Sequence, residues 1–304
     1  MTAHYPRIRL QGAFAGQRFS LLRERLTITF YIRRSHEEIV PELMRALDAY
    51  LQAVGPEALG WYVDPEGDWR ELDPTGWAFI RNKWASPRGA RVELAGAPDG
   101  LSGYGLLYEG HRLDALSASE SGPVCAVSYS MPTEFLEEQG PARVRKLALE
   151  WATGLPFDSG HGGLSFQFPG WTPSNTPLLR DMSFRHPGVD IPERSLAWCI
   201  GTKLKGAHWL TFVGPSVLEA LGGVEGLWTR LRSAGTAVDA VGDGRAVVTL
   251  GPWPEAGDLE ADQPLLAYRE LARVLNPWLY FEQRHPWGNF TPEEMRRWER
   301  RFLD

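Results

Sequence analysis

Residues 124–169, VCAVSYSMPTEFLEEQGPARVRKLALEWATGLPFDSGHGGLSFQFP, constrain the fold more than any other stretch. They read as strand, helix, strand. VCAVSYSM is rich in β-formers and ends at Pro132. Pro141 opens a helix in which Val144, Leu147, Ala148 and Trp151 fall at i, i+3, i+4 and i+7 and so share one face. Gly154 is expected to close it, since a glycine past a helix end adopts the left-handed conformation at little cost. The run Gly160–Gly163 then reads as a turn leading into LSFQFP, a second strand. Such a block builds a sheet with a helix laid on it.

The remaining elements fit the same scheme. LTITFYIRR (26–34) is a strand with Ile28, Phe30 and Ile32 on one side. Ser35 and Glu38 form a capping box for a helix that places Ile39, Leu43, Leu47, Tyr50, Leu51 and Val54 on one side and stops at Gly55. Pro41 is awkward inside it, so the regular helix is expected to start there. LGWYV, GWAFIRNKW, RVELAG and GYGLLYEG read as a meander of strands, followed by a Ser-rich loop at 111–123. A long Pro-rich connection with a short helix at TPLLRDMSF leads to strands at LAWCI and HWLTFVG. Pro215 opens two short helices, TAVDAV and RAVVTLG pair across GDG, 264–276 is an amphipathic helix, and Thr291, Pro292 and Glu294 cap a last one. The order of elements at 124–169 recurs at 208–250, with 26–63 a candidate third copy. The expected fold is α+β: mostly antiparallel or mixed sheets, helices packed on one face, and two pseudo-repeated strand–helix–strand halves. Residues 1–170 and 171–304 are the expected halves, either separate or merged into one intimate domain.

Charge limits the partners. Residues 1–35 hold seven of the 32 Lys and Arg and one of the 38 Asp and Glu, leaving the rest of the chain at about −12. An acidic body is unsuited to wrapping nucleic acid, whose phosphates need clustered Lys and Arg, and suits a basic partner. The two cysteines, Cys125 and Cys199, lie in apolar segments without metal-site spacing and are expected as buried free thiols. No apolar run has signal-peptide or membrane-spanning length, so a cytoplasmic location and no membrane partner are expected.

Few residues point to chemistry. Asp158, Ser159 and His161 have the residue types of acyl transfer, but triad members meet across a fold and are not neighbours in one loop. A small-molecule hydrolase using Asp158 and His161 is nevertheless the alternative to a binding function. The seven His, at 4, 36, 111, 161, 186, 208 and 285, show no metal-ligand spacing, and no GxGxxG or Walker loop occurs. Neither a catalytic centre, a metal nor a cofactor is expected. The cluster Asp64, Glu66, Asp68, Trp69, Glu71 and Asp73 fails as a calcium loop because its sixth position is Trp69 rather than Gly. Two readings remain: a solvated acidic loop, or, given its mixture of carboxylates and tryptophan, a contact for a basic partner.

In order along the chain, PTEFLEEQGPARVRKLALEWATGLPFDSGHGGLSF, RHPGVDI, GAHWLTFVGPSVLEALGGVEGL and YRELARVLNPWLY resemble the bacterial type VI secretion immunity family for VRR-NUC nuclease effectors. The resemblance covers most of residues 25–285. It implies an antitoxin that binds a cognate effector, with no catalytic residue to transfer and no direct nucleic-acid contact. Self-association into a homodimer is left open.

Overall fold

The computed structural model describes residues 5–14, 17–113, 122–242, 244–281, 287 and 290–304. The Ser-rich stretch 114–121, His4 and His285 lie outside these. The elements in order are β1 (Leu10–Phe14), β2 (Gln17–Ile32), α1 (His36–Val54), β3 (Trp61–Val63), β4 (Trp69–Glu71), α2 (Pro74–Trp84), β5 (Gly89–Ala95), β6 (Gly105–His111) and β7 (Cys125–Pro132). There follow α3 (Thr133–Gln139), α4 (Pro141–Gly154), β8 (Ser159–Gln167), α5 (Thr176–Arg185), β9 (Leu210–Val213), α6 (Pro215–Ala220), α7 (Gly223–Trp228), β10 (Thr236–Ala240), β11 (Ala246–Leu250), α8 (Leu266–Leu275) and α9 (Pro292–Glu299). No described helix is long and apolar enough to cross a membrane.

The strands form one 11-stranded sheet in the order β10-β11-β9-β8-β2-β7-β6-β5-β3-β4, with β1 also on β2. Every pairing between these strands is antiparallel, and the sheet takes strands from both sides of residue 170. The class is α+β, as expected. β7 and β8 both run antiparallel to β2 and flank it, so they are parallel to each other with two helices between them in sequence. β9 and β10 flank β11 in the same way, with α6 and α7 between them.

Strand β2 sets the layers. Leu22, Leu26, Ile28, Phe30 and Ile32 alternate onto one face and are fully buried. Tyr50 of α1 and Trp151 of α4 close over this face, each against Tyr129 of β7: the Trp151 and Tyr129 rings stack at 4.4 Å. Beside them Phe30, Phe157 and Phe212 meet with centroids 4.8–5.8 Å apart. The capping box forms, with the Ser35 N–H donating to the Glu38 carboxylate at 2.7 Å.

Five expectations are corrected. Pro41 lies inside α1, which starts at His36; the buried face through Ile39, Leu43, Leu47 and Tyr50 outweighs one missing hydrogen bond. GWAFIRNKW is not a strand but most of α2. Asp73 caps it by accepting from the Gly76 N–H at 2.7 Å, Pro74 stands in its first turn, and Ile80 and Trp84 are buried four residues apart. LAWCI is not a strand either: residues 194–198 form a short 3₁₀ turn, tied to the sheet by the Val124 N–H on Ala197 O at 2.8 Å. Gly154 is the last residue of α4 and keeps negative φ; extended Leu155 ends the helix. Gly160–Gly163 lie within β8, not in a turn. A Cβ on Gly160 would stand 2.6 Å from Thr29 O and 3.3 Å from the Phe212 side chain, so its absence lets β2 and β9 close on β8. Cys125 is buried as expected, whereas Cys199 is partly exposed.

Trp151 is fully buried and packs against both Tyr50 and Tyr129. Trp151→Ala is expected to destabilise the fold by about 3–5 kcal/mol, measured by urea unfolding monitored by far-UV circular dichroism.

Candidate functional site

The other face of β2 is polar. Arg25, Thr27, Thr29 and Tyr31 alternate onto it, and the register sets Thr29 between Ser128 of β7 and His161 of β8. Thr29 Oγ1 lies 2.8 Å from Ser128 Oγ, and Thr27 Oγ1 lies 2.6 Å from Ser165 Oγ. Residues 190–194, 205 and 208 overhang this surface and enclose a cavity of about 120 Å³, lined also by Arg25, Ser130, Glu93 and Glu109. It adjoins a wider groove of about 680 Å³ between the β3–β4 loop and residues 166–171, and Trp69, Glu93, Gln167 and Arg194 line both. The smaller space suits one functional group rather than a whole small molecule, which needs several hundred Å³.

At one end of the cavity lies a buried ionic cluster centred on Asp190. Its carboxylate meets Lys205 Nζ at 2.5 Å, His161 Nε2 at 3.6 Å, His208 Nε2 at 3.5 Å and Arg301 Nη2 at 3.6 Å. Backbone pairing positions the hub: Asp190 N–H donates to Leu164 O and Phe166 N–H to Asp190 O, extending β8 where β9 has ended. Lys205 also donates to Ile191 O at 2.6 Å, and Arg301 to Pro187 O at 2.9 Å. The His161 and His208 rings meet tilted at 4.5 Å, and Tyr31 stacks on His161 at 5.8 Å.

Burial pushes His161 well below the usual imidazole range, reinforced by His208 and Lys205; burial also lowers His208. For Asp190 burial acts upward, but Lys205 and the two imidazoles outweigh it and hold the carboxyl well below its usual range. Burial lowers Arg301 to about 10, so it stays charged at neutral pH. Ligating atoms of His161, Asp190 and His208 lie within 4.8 Å of one another, a spacing that could hold a metal ion. The carboxylate is already compensated by Lys205 and Arg301, so a divalent cation would add to an existing excess of positive charge. The arrangement is better suited to tying chain segments together than to ligation.

The acidic loop lies at the rim of the wider groove. Asp64 is spent on the loop itself, accepting from the N–H groups of Glu66 (3.1 Å) and Asp68 (2.8 Å) and from Arg70 Nε (2.8 Å). The Arg70 bond holds its carboxyl below the usual range. Asp73 is the α2 cap. Glu66, Asp68 and Glu71 are exposed, and Trp69 forms part of the groove wall. Asp158 and His161 are not brought together. Asp158 accepts from the Arg33 N–H at 2.7 Å beyond the end of β8, while His161 faces Asp190. Of the other described histidines, His36 bonds Tyr108 and Trp84, His186 bonds Gly257 O, and His111 packs on Trp198 with ring centroids 4.0 Å apart. Sequence reasoning missed the Asp190 cluster, whose members are spread over 140 residues; only a histidine amid the glycines of an otherwise apolar segment hinted at it.

The profile of the family described as type VI immunity for VRR-NUC matches residues 42–302. Among solved structures, the T6SS protein PA0821 of Pseudomonas aeruginosa is similar, with a TM-score of 0.75 and 19% identity over 93% of this chain and 83% of that one. At that identity the likeness shows a shared fold. No curated protein matches the chain.

Two outcomes follow from the cluster. Unfolded chains protonate histidine below about pH 6.5, whereas His161 and His208 stay neutral when folded, so stability falls as pH drops below that value. Asp190 does not contribute to this loss, since its own share goes only as pH falls through its depressed value. Denaturant titrations from pH 7 to 5 should therefore show a shallower loss in His161→Gln, by up to about 1.4 kcal/mol per pH unit. Lys205→Met removes the nearer of the two cations from a buried carboxylate, leaving Arg301 at 3.6 Å, and is expected to cost up to about 3–5 kcal/mol at pH 7 in the same assay.

Proposed function

Because the chain belongs to the type VI immunity family for VRR-NUC, we propose that it is a non-enzymatic antitoxin that binds a cognate type VI effector and neutralises it in the cytoplasm by blockade. The family match over residues 42–302 carries this reading. The polar groove and its acidic rim supply a surface for it. Glu66, Asp68 and Glu71 project from the β3–β4 loop and its border, and Trp69 stands on the wall behind them as an aromatic anchor. With a net charge of −6, the chain would steer a basic effector surface, such as one that holds nucleic acid, toward this rim. Asp64 and Asp73 hold the loop and the helix after it in shape, and act on the partner only through them.

Co-expression with the effector encoded beside it should restore growth, and the two proteins should co-purify as a stable complex; an effector that kills unhindered and shows no binding at micromolar concentration refutes the proposal. For the surface, Asp68→Lys with Glu71→Lys should weaken binding at least about tenfold, mainly through slower association at low salt, without changing the unfolding midpoint. Unchanged association kinetics in stopped-flow would remove the loop from the interface.

A further inference from the structure

We infer that the end of the cavity opposite the Asp190 cluster is a receptor for a single carboxylate of the protein partner, built on Arg25. The inference rests on the immunity reading and deepens it.

Among the described residues Arg25 has no counter-ion. It is 5% exposed, its Nε has no hydrogen-bond partner, and its one recorded bond is from Nη2 to Gly103 O at 3.3 Å. No carboxylate pairs with it among the described residues. The neighbouring arginines differ: Arg7, Arg9 and Arg23 share Glu24, Glu134 and Glu137. Glu24, next in sequence to Arg25, points to the opposite side of the strand and is spent on Arg9 and the Ile8 N–H. Burial lowers the Arg25 pKa to about 10, which still leaves the guanidinium charged at neutral pH. Desolvating a guanidinium costs several kcal/mol, and no carboxylate among the described residues offsets it.

The walls around it donate. Each hydroxyl pair, Thr27 with Ser165 and Thr29 with Ser128, spends one of its two protons inside the pair and keeps one for an acceptor in the cavity. The carboxylates on the same wall are already engaged. Glu93 receives both arms of Arg194 at 2.5 and 2.8 Å, Glu109 lies 3.8 Å from Arg91, and Asp190 holds Lys205. Gly105 leaves room beside the guanidinium: a Cβ there would lie 3.5 Å from Arg25 Nη2 and 3.3 Å from Ser130 Oγ. One fork of donors with spare hydroxyl protons matches a carboxylate. A phosphate dianion would meet Glu93 and Glu109, and a nucleic-acid strand would have to pass the acidic rim. An aspartate or glutamate side chain of a protein seated in the wider groove can enter from there.

The test is calorimetric titration of the effector with the full-length chain, wild type and variants, alongside thermal unfolding of the free chain. Arg25→Met should weaken binding about a hundredfold or more, because the partner's carboxylate would be buried unpaired. The free variant should unfold at the same temperature as the wild type or higher, because an uncompensated charge is gone. Arg25→Lys, which keeps the charge and loses the fork, should lie between and carries the test if Arg25→Met does not fold. Wild-type affinity in either folded variant overturns the carboxylate receptor while leaving the immunity reading intact. A wild-type chain that fails to bind the effector rejects that reading itself. Arg25-dependent binding of a single-stranded oligonucleotide would overturn the carboxylate in favour of phosphate.

Discussion

Everything in this fold depends on how strand β2 pairs. It is bonded on both sides, to β7 and β8, over residues 25–31. Because side chains alternate, that double pairing gives it two unlike faces. Leu26, Ile28, Phe30 and Ile32 go to the helices, and Arg25, Thr27, Thr29 and Tyr31 go to the groove. A slip of one residue would exchange the faces, driving Arg25 into the aromatic core and Phe30 into the cavity. The cost of that exchange holds the register, and the register in turn sets Thr29 opposite Ser128 and His161.

The Asp190 cluster fastens distant segments to this frame. Through one carboxylate it joins the segment after α5, the approach to β9 and the end of the chain at Arg301. Buried ion pairs add little net stability compared with apolar packing, but a misplaced partner is costly. The cluster therefore serves arrangement: Lys205, His208 and Arg301 have one low-energy position each, and the overhang that encloses the cavity follows from it. Arg25, at the other end, lacks such compensation.

Much of the frame was legible in the sequence where a local signal had a local cause. The Ser35–Glu38 capping box, the apolar stripe of α4, the β10–β11 hairpin and the cap at Thr291 all formed where expected. Errors arose where local and tertiary demands diverged. Trp77, Phe79 and Ile80 look β-prone, yet the Asp73–Pro74 start and the burial of Ile80 with Trp84 make α2 a helix. Gly160 to Gly163 look like a turn, yet they lie within β8, where Gly160 and Gly162 leave the adjoining strands room to close. The acidic loop was visible as composition, but that Asp64 and Asp73 hold it together while Glu66, Asp68 and Glu71 are exposed was not.

By itself the sequence determined the α+β class, the strand–helix–strand order and the acidic character, because periodicity, caps and charge are properties of neighbouring residues. Only the tertiary structure decided that His161, Asp190, Lys205, His208 and Arg301 meet, that Asp158 stays apart from His161, and that Arg25 is buried with no carboxylate partner among the described residues. Those facts depend on which strands lie side by side. Strand order is set by the burial of whole faces, a sum over contacts far apart in the chain that no single stretch encodes.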